Sequence, residues 1–159
     1  MRELPPRIRM LAFAVERDIE SPFETREASP RDLPALAELL LVSYASTVDD
    51  LGQTFEEALG ELEEFAAGQI GPVLWDSSFV AFASERPVSA VLTCEEKGVP
   101  LLAYIYTHPE WQNRGLGTAL IRLAMNAAAR RGYGMVSLRV ATANNDAQRL
   151  YRRLGFSEE

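Results

Sequence analysis

Apolar positions along this chain alternate between two rhythms, one helical and one strand-like. Leu33, Leu36, Ala37, Leu40 and Leu41 recur at helical spacing, which predicts a helix running to about Ala45. Ser29-Pro30-Arg31-Asp32 stands before it, with an N-cap serine, a proline at the first helical position and an acid at the capping-box place. Thr54-Phe55-Glu56-Glu57 is a second capping box and opens a helix ending near Gly68. The loop Ser46 to Gln53 lies between the two. The longest predicted helix spans about Thr118 to Arg131. Ala119, Leu120, Leu123, Ala124 and Ala127 form its buried face, and Gly132 stops it. A short last helix is capped by Asn144 or Asn145 and ended by Gly155.

The strand-like runs are shorter. Ile8 to Val15 alternates loosely, Pro22 punctuates, and Phe23 to Glu27 follows. Ser78 to Ser84 and Val88 to Glu95 flank the turn Glu85-Arg86-Pro87 and predict a hairpin. Lys97-Gly98-Val99-Pro100 reads as the next turn, before strands at Leu101 to Thr107 and Met135 to Thr142. The 159 residues predict a single domain, 1–159, with residues 1–20 as an extension that carries an extra strand.

Composition narrows the function classes. A formal charge of −7 and a pI near 4.9 disfavour nucleic-acid partners. No apolar run approaches the roughly eighteen residues that would span a membrane. The opening Met1-Arg2-Glu3-Leu4-Pro5-Pro6 lacks a signal-peptide pattern. A lone cysteine, Cys94, inside a predicted strand fits a buried thiol and a cytoplasmic setting. His108 is the only histidine, so no metal is expected. Between Ala45 and Glu85 there are acids but no Lys or Arg. That run is either a solvated face or a field that draws in a cationic amine.

The chemistry concentrates in Gln112-Asn113-Arg114-Gly115-Leu116-Gly117, between a predicted strand and the longest helix. A helix begins with backbone N–H groups that lack partners and sit at the positive end of its dipole, so they suit a phosphate. Gly115 and Gly117 let a ligand approach the main chain. A dinucleotide fold would want a third glycine at 120 and an acid after the next strand. Position 120 is Leu, and Met135 to Thr142 carries no acid. A triphosphate loop would want Gly-Lys-Ser/Thr, and this chain has Gly117-Thr118 with no lysine.

About thirty residues on comes Asn144-Asn145-Asp146-Ala147-Gln148-Arg149-Leu150-Tyr151-Arg152-Arg153-Leu154-Gly155-Phe156. The two motifs together, in order and spacing, resemble the GNAT superfamily of acyl-CoA-dependent N-acetyltransferases. The first matches through Gln112, Gly115 and Gly117, the second through Asn144, Ala147, Leu150, Tyr151, Gly155 and Phe156. The resemblance runs from about Phe23 to Phe156 and is specific from Tyr104 onward.

The resemblance implies an α/β (α+β) fold with a mixed, mostly antiparallel sheet splayed in the middle and helices on both faces. The family continues with two more strands after Gly-Phe, whereas only Ser157-Glu158-Glu159 remain here. The edge beside Met135–Thr142 is then open. The N-terminal run Ile8–Val15 is expected to fill it as if the topology were permuted, unless a neighbouring subunit of a homodimer does so.

It also implies acetyl transfer from acetyl-CoA to a primary amine, on a small molecule or a peptide. Main-chain groups of Ile105, Tyr106 and Thr107 would pair with the pantetheine arm. Amides of Gln112, Asn113, Arg114, Gly115, Leu116, Gly117 and Thr118 would cradle the diphosphate. Asn144, with Ala147 in its motif, would bond the pantetheine or its loop, and Tyr151 would stand near the sulfur as general acid. Some family members carry a glutamate base on the strand before the turn; Leu101 and Leu102 stand there instead. Asp49, Asp50, Glu95, Glu96, Tyr104 and Tyr106 remain as candidates, or the amine loses its proton to solvent. A non-catalytic acyl-CoA-binding sensor is the other reading.

Overall fold

The computed structural model describes residues 4–21 and 23–159; the start Met1–Glu3 and the punctuating Pro22 lie outside it. The elements are β1 (Arg7–Phe13), β2 (Glu24–Glu27), α1 (Leu33–Tyr44), α2 (Phe55–Ala66), β3 (Phe79–Ala83), β4 (Arg86–Glu96), β5 (Val99–Thr107), α3 (Leu116–Arg130), β6 (Met135–Ala141), α4 (Asn145–Arg153) and β7 (Ser157–Glu158). The strands form one sheet in the order β2-β3-β4-β5-β6-β1-β7. Every pairing is antiparallel except β5 with β6.

Each face of the sheet buries its own cluster. Leu36, Leu40, Leu62 and Phe65 of α1 and α2 pack on Val80, Leu92 and Leu101. On the other face, Leu116, Leu120, Ile121 and Ala124 of α3, with Tyr151 of α4, pack on Met10, Val91, Val136 and Leu138. The sheet with helices on both faces is the one the resemblance implied. Cys94 is fully buried among the α1–α2 cluster, and burial pushes its thiol up to about 11. Among the described residues, no helix is long and apolar enough to cross a membrane.

The N-terminal run does fill the edge beside β6. All seven residues of β1 pair with β6, from Arg7 opposite Ala141 to Phe13 opposite Met135. The strand therefore comes from the same chain, with Ile8, Met10 and Ala12 turned to the core. The missing-strand expectation needs one correction. Ser157 and Glu158 form the short β7, paired with Leu11 and Met10, so β1 lies between β6 and the strand that follows Gly155-Phe156.

Two hairpin turns are shorter than predicted. Ser84 and Glu85 have φ of 47° and 69°, and Lys97 and Gly98 have 52° and 82°. Two left-handed residues reverse an antiparallel pair without splaying it, so Arg86-Pro87 and Val99-Pro100 belong to strands.

Candidate active site

The sheet opens between β5 and β6. Only Leu101–Ser137 and Leu102–Leu138 pair across that gap. The cause lies one residue on. Leu92 faces Tyr104 while Thr93 faces Leu102, so Ala103 is an extra residue in β5. Such a bulge bends its strand and ends pairing. Beyond it, hydrogen-bonding residues of an antiparallel ladder alternate, and His108 N–H donates to the Val88 carbonyl at 2.8 Å. Tyr106 therefore spends its main chain on β4, while the main-chain groups of Ile105 and Thr107 turn into the gap.

A cleft of about 1280 Å³ follows this opening. Its walls come from the end of α1, the loop after it, the ends of β5 and β6, the turn before α3 and the first turns of α4. Ile105, Tyr106, Thr107, Gln112, Asn113, Gly115, Leu116, Gly117, Thr118, Asn144, Ala147 and Tyr151 all line it. Arg114 is not on the wall. Its guanidinium folds back over the Trp111 ring at 4.5 Å and donates to the Glu110 carbonyl at 3.2 Å.

The turn aims α3 into the cleft. Gly115 is the N-cap at φ 80°, a left-handed conformation glycine takes without strain. The first helical bond runs from Ala119 N–H to the Gly115 carbonyl, so the N–H groups of Leu116, Gly117 and Thr118 stand ahead of the ladder. No side chain caps them, and no acid lies in the first turn. At Gly117 an added Cβ would meet only Thr107 Oγ1, at 3.9 Å. The protein itself leaves that space open.

Asn144 caps α4, its Oδ1 accepting from Ala147 N–H at 3.2 Å. This holds the segment that carries Tyr151, which is 7% exposed and packs edge-on to Phe156 at 6.2 Å. Burial, and secondarily the Asp49 carboxylate, push the Tyr151 phenol up to about 12. Tyr44 is raised by the same two causes in the same order. Tyr104 donates to Glu61 Oε2 at 2.9 Å and Tyr106 to the Leu36 carbonyl at 3.1 Å. Burial raises both phenols far above their ordinary value, so neither serves as a base.

The carboxylate candidates separate clearly. Glu95 accepts from Tyr133 at 2.9 Å, and Glu96 is held by Arg139 at 2.5 Å, which keeps its carboxyl below the usual range. Neither lines the cleft. Asp50 accepts from the N–H groups of Ser46 and Gly52 within its loop. Asp49 remains. It is the only acid of the run between Ala45 and Glu85 on the cleft wall.

Sequence reasoning missed Arg7, Ser43, Tyr44 and Arg139, which also line the cleft. Arg139 alternates with core residues on a strand that the pattern finds, and Arg7 stands one residue before the predicted run Ile8–Val15. That alternation was the available signal. Among the described residues, no group of His, Cys, Asp and Glu is arranged to hold a metal ion.

Comparison with known proteins gives the family and the fold. Residues 33–156 match the Acetyltransferase (GNAT) family, and the chain belongs to it. An uncharacterized N-acetyltransferase of Methanocaldococcus jannaschii is 35% identical over 91 residues, which cover 53% of this chain and 40% of that protein. The chain thus spans less than half the length of that curated relative. Two solved structures share the fold. A GCN5-related N-acetyltransferase from Sphaerobacter thermophilus has a TM-score of 0.74 at 22% identity, over 99% of this chain and 50% of that one. The PaiA N-acetyltransferase from Thermoplasma acidophilum, solved with coenzyme A, has a TM-score of 0.69 at 20% identity, over 87% and 92%.

Proposed function

We propose that this chain transfers an acetyl group from acetyl-CoA to a primary amine by direct attack in a ternary complex. The observation that carries the reading is the uncapped, acid-free start of α3, which opens into the cleft beside the β5–β6 gap. Diphosphate oxygens accept from the N–H groups of Leu116, Gly117 and Thr118. The pantetheine arm adds to β5 as a strand would, on the main-chain groups of Ile105 and Thr107. That the Thermoplasma protein of the same fold is solved with coenzyme A supports coenzyme A as the ligand. The thioester then lies in the gap near Tyr151.

The amine nitrogen, as the free base, forms a bond to the thioester carbonyl carbon. The C–S bond breaks as the tetrahedral adduct collapses, and the proton from nitrogen passes to solvent. A phenol at about 12 is a weaker acid than a thiol near 8.5. Tyr151 therefore serves the departing sulfur as a hydrogen-bond donor that keeps its proton, and the thiolate is protonated from water. This refines the general-acid role expected from sequence. The setting is cytoplasmic on this reading, with the acceptor's identity set by the end of the cleft near Asp49.

Tyr151→Phe tests the assignment. Turnover, followed by thiol release, falls about a hundredfold, while calorimetry finds the same affinity for coenzyme A. An unchanged rate removes Tyr151 from the chemistry. A second reading, a non-catalytic acyl-CoA sensor, is favoured by Leu101 and Leu102, both 2% exposed where a family base would stand. Tight coenzyme A binding without thiol release on any amine selects it.

A further inference from the structure

On the wall of the cleft, two charged groups 42 residues apart in the sequence come together. Arg7 begins β1, opposite Ala141 at the end of β6. Asp49 lies in the loop between α1 and α2. Their side chains meet at 3.3 Å through one nitrogen and one oxygen, and both line the cleft. Asp49 also acts on the phenols of Tyr44 and Tyr151, which line the same cleft.

The contact is incomplete for groups of this kind. A guanidinium and a carboxylate make two parallel short bonds when they serve only each other. Here a single long one leaves the fork of Arg7 and the second oxygen of Asp49 with capacity. Arg139, the neighbouring cation, is already committed to Glu96.

We infer that Arg7 and Asp49 form the acceptor subsite, and that the acceptor is an α-amino carboxylate, with its amine on Asp49 and its carboxylate on Arg7. The two protein charges are adjacent, so they match a molecule whose amine and carboxylate share one carbon. A plain alkylamine would satisfy Asp49 and leave Arg7 unused. The strand that fills the sheet edge thus also contributes half of the acceptor's recognition. This inference rests on the transferase reading above.

The test uses the full chain saturated with coenzyme A. Calorimetry is run with the free amino acids, then with the carboxamide of each that binds. At least one amino acid binds, and its carboxamide binds about tenfold more weakly or worse. Arg7→Gln lowers the amino acid to the carboxamide's affinity, Arg7→Lys recovers part of the loss, and Asp49→Asn weakens both ligands. All three variants keep the wild-type affinity for coenzyme A and the wild-type melting temperature. The inference is overturned if no amino acid binds, if acid and amide bind alike, or if Arg7→Gln weakens both equally. In those cases retained coenzyme A binding leaves the transferase reading standing. Failure of the wild type to bind coenzyme A overturns both.

Discussion

The first turns of α2 and α3 are built in opposite ways. At α2, Thr54 accepts from Glu57 N–H at 3.1 Å, and the Glu57 carboxylate accepts from Thr54 N–H at 3.1 Å. Glu56 and Glu57 add negative charge to the positive end of the dipole. At α3 the N-cap is a glycine, no side chain reaches the free N–H groups, and no acid lies in the first turn. Nine of the fifteen α3 residues are buried, against three of the twelve in α2. The helix with the stronger packing can leave its end open, and the one with weaker packing closes its own. On the proposed reading, local stabilisation is omitted where the diphosphate of coenzyme A supplies it.

Four changes test this contrast, and the first removes the anion's place. Gly117→Glu puts a carboxylate into the first turn of α3. It lowers coenzyme A affinity at least about a hundredfold through like-charge repulsion, while the melting temperature holds or rises slightly. Calorimetry and a thermal melt read the two effects separately, and loss of fold would assign Gly117 to packing. Gly115→Ala acts on geometry instead. The left-handed φ costs about 1–2 kcal/mol in urea denaturation, and Gly115→Asn recovers much of that. Thr54→Ala removes the α2 cap for about 1 kcal/mol of stability and leaves coenzyme A affinity where it was. Glu56→Gln is the smallest, a few tenths of a kcal/mol that high salt erases.

The same contrast explains what could be read from the sequence. Capping boxes are local, so Ser29–Asp32 and Thr54–Glu57 were legible, and both form. The glycine turn and the Asn144–Phe156 segment were legible because they are contiguous motifs. Prolines misled the turn assignment, because Pro87 and Pro100 follow two-residue turns that need no proline. On α3, Ile121, Met125 and Ala128 are buried beyond the expected face, since a helix lying on an open sheet buries a wider stripe than a single seam. The bulge at Ala103 leaves no mark in the apolar pattern of β5. Arg7 and Asp49 meet only after β1 has crossed to β6, and no local pattern reports a contact made by topology.

The placement of β1 also sets an order of events during synthesis. Met10 is fully enclosed in the finished protein, yet its partner across the ladder is Leu138. At about 5–20 residues per second, the ribosome needs on the order of ten seconds between the two. Throughout that interval Ile8, Met10 and Ala12 travel with the nascent chain uncovered. Of the strands in this sheet, the one made before all the others is among the last to be seated, and a holdase has its longest opportunity there.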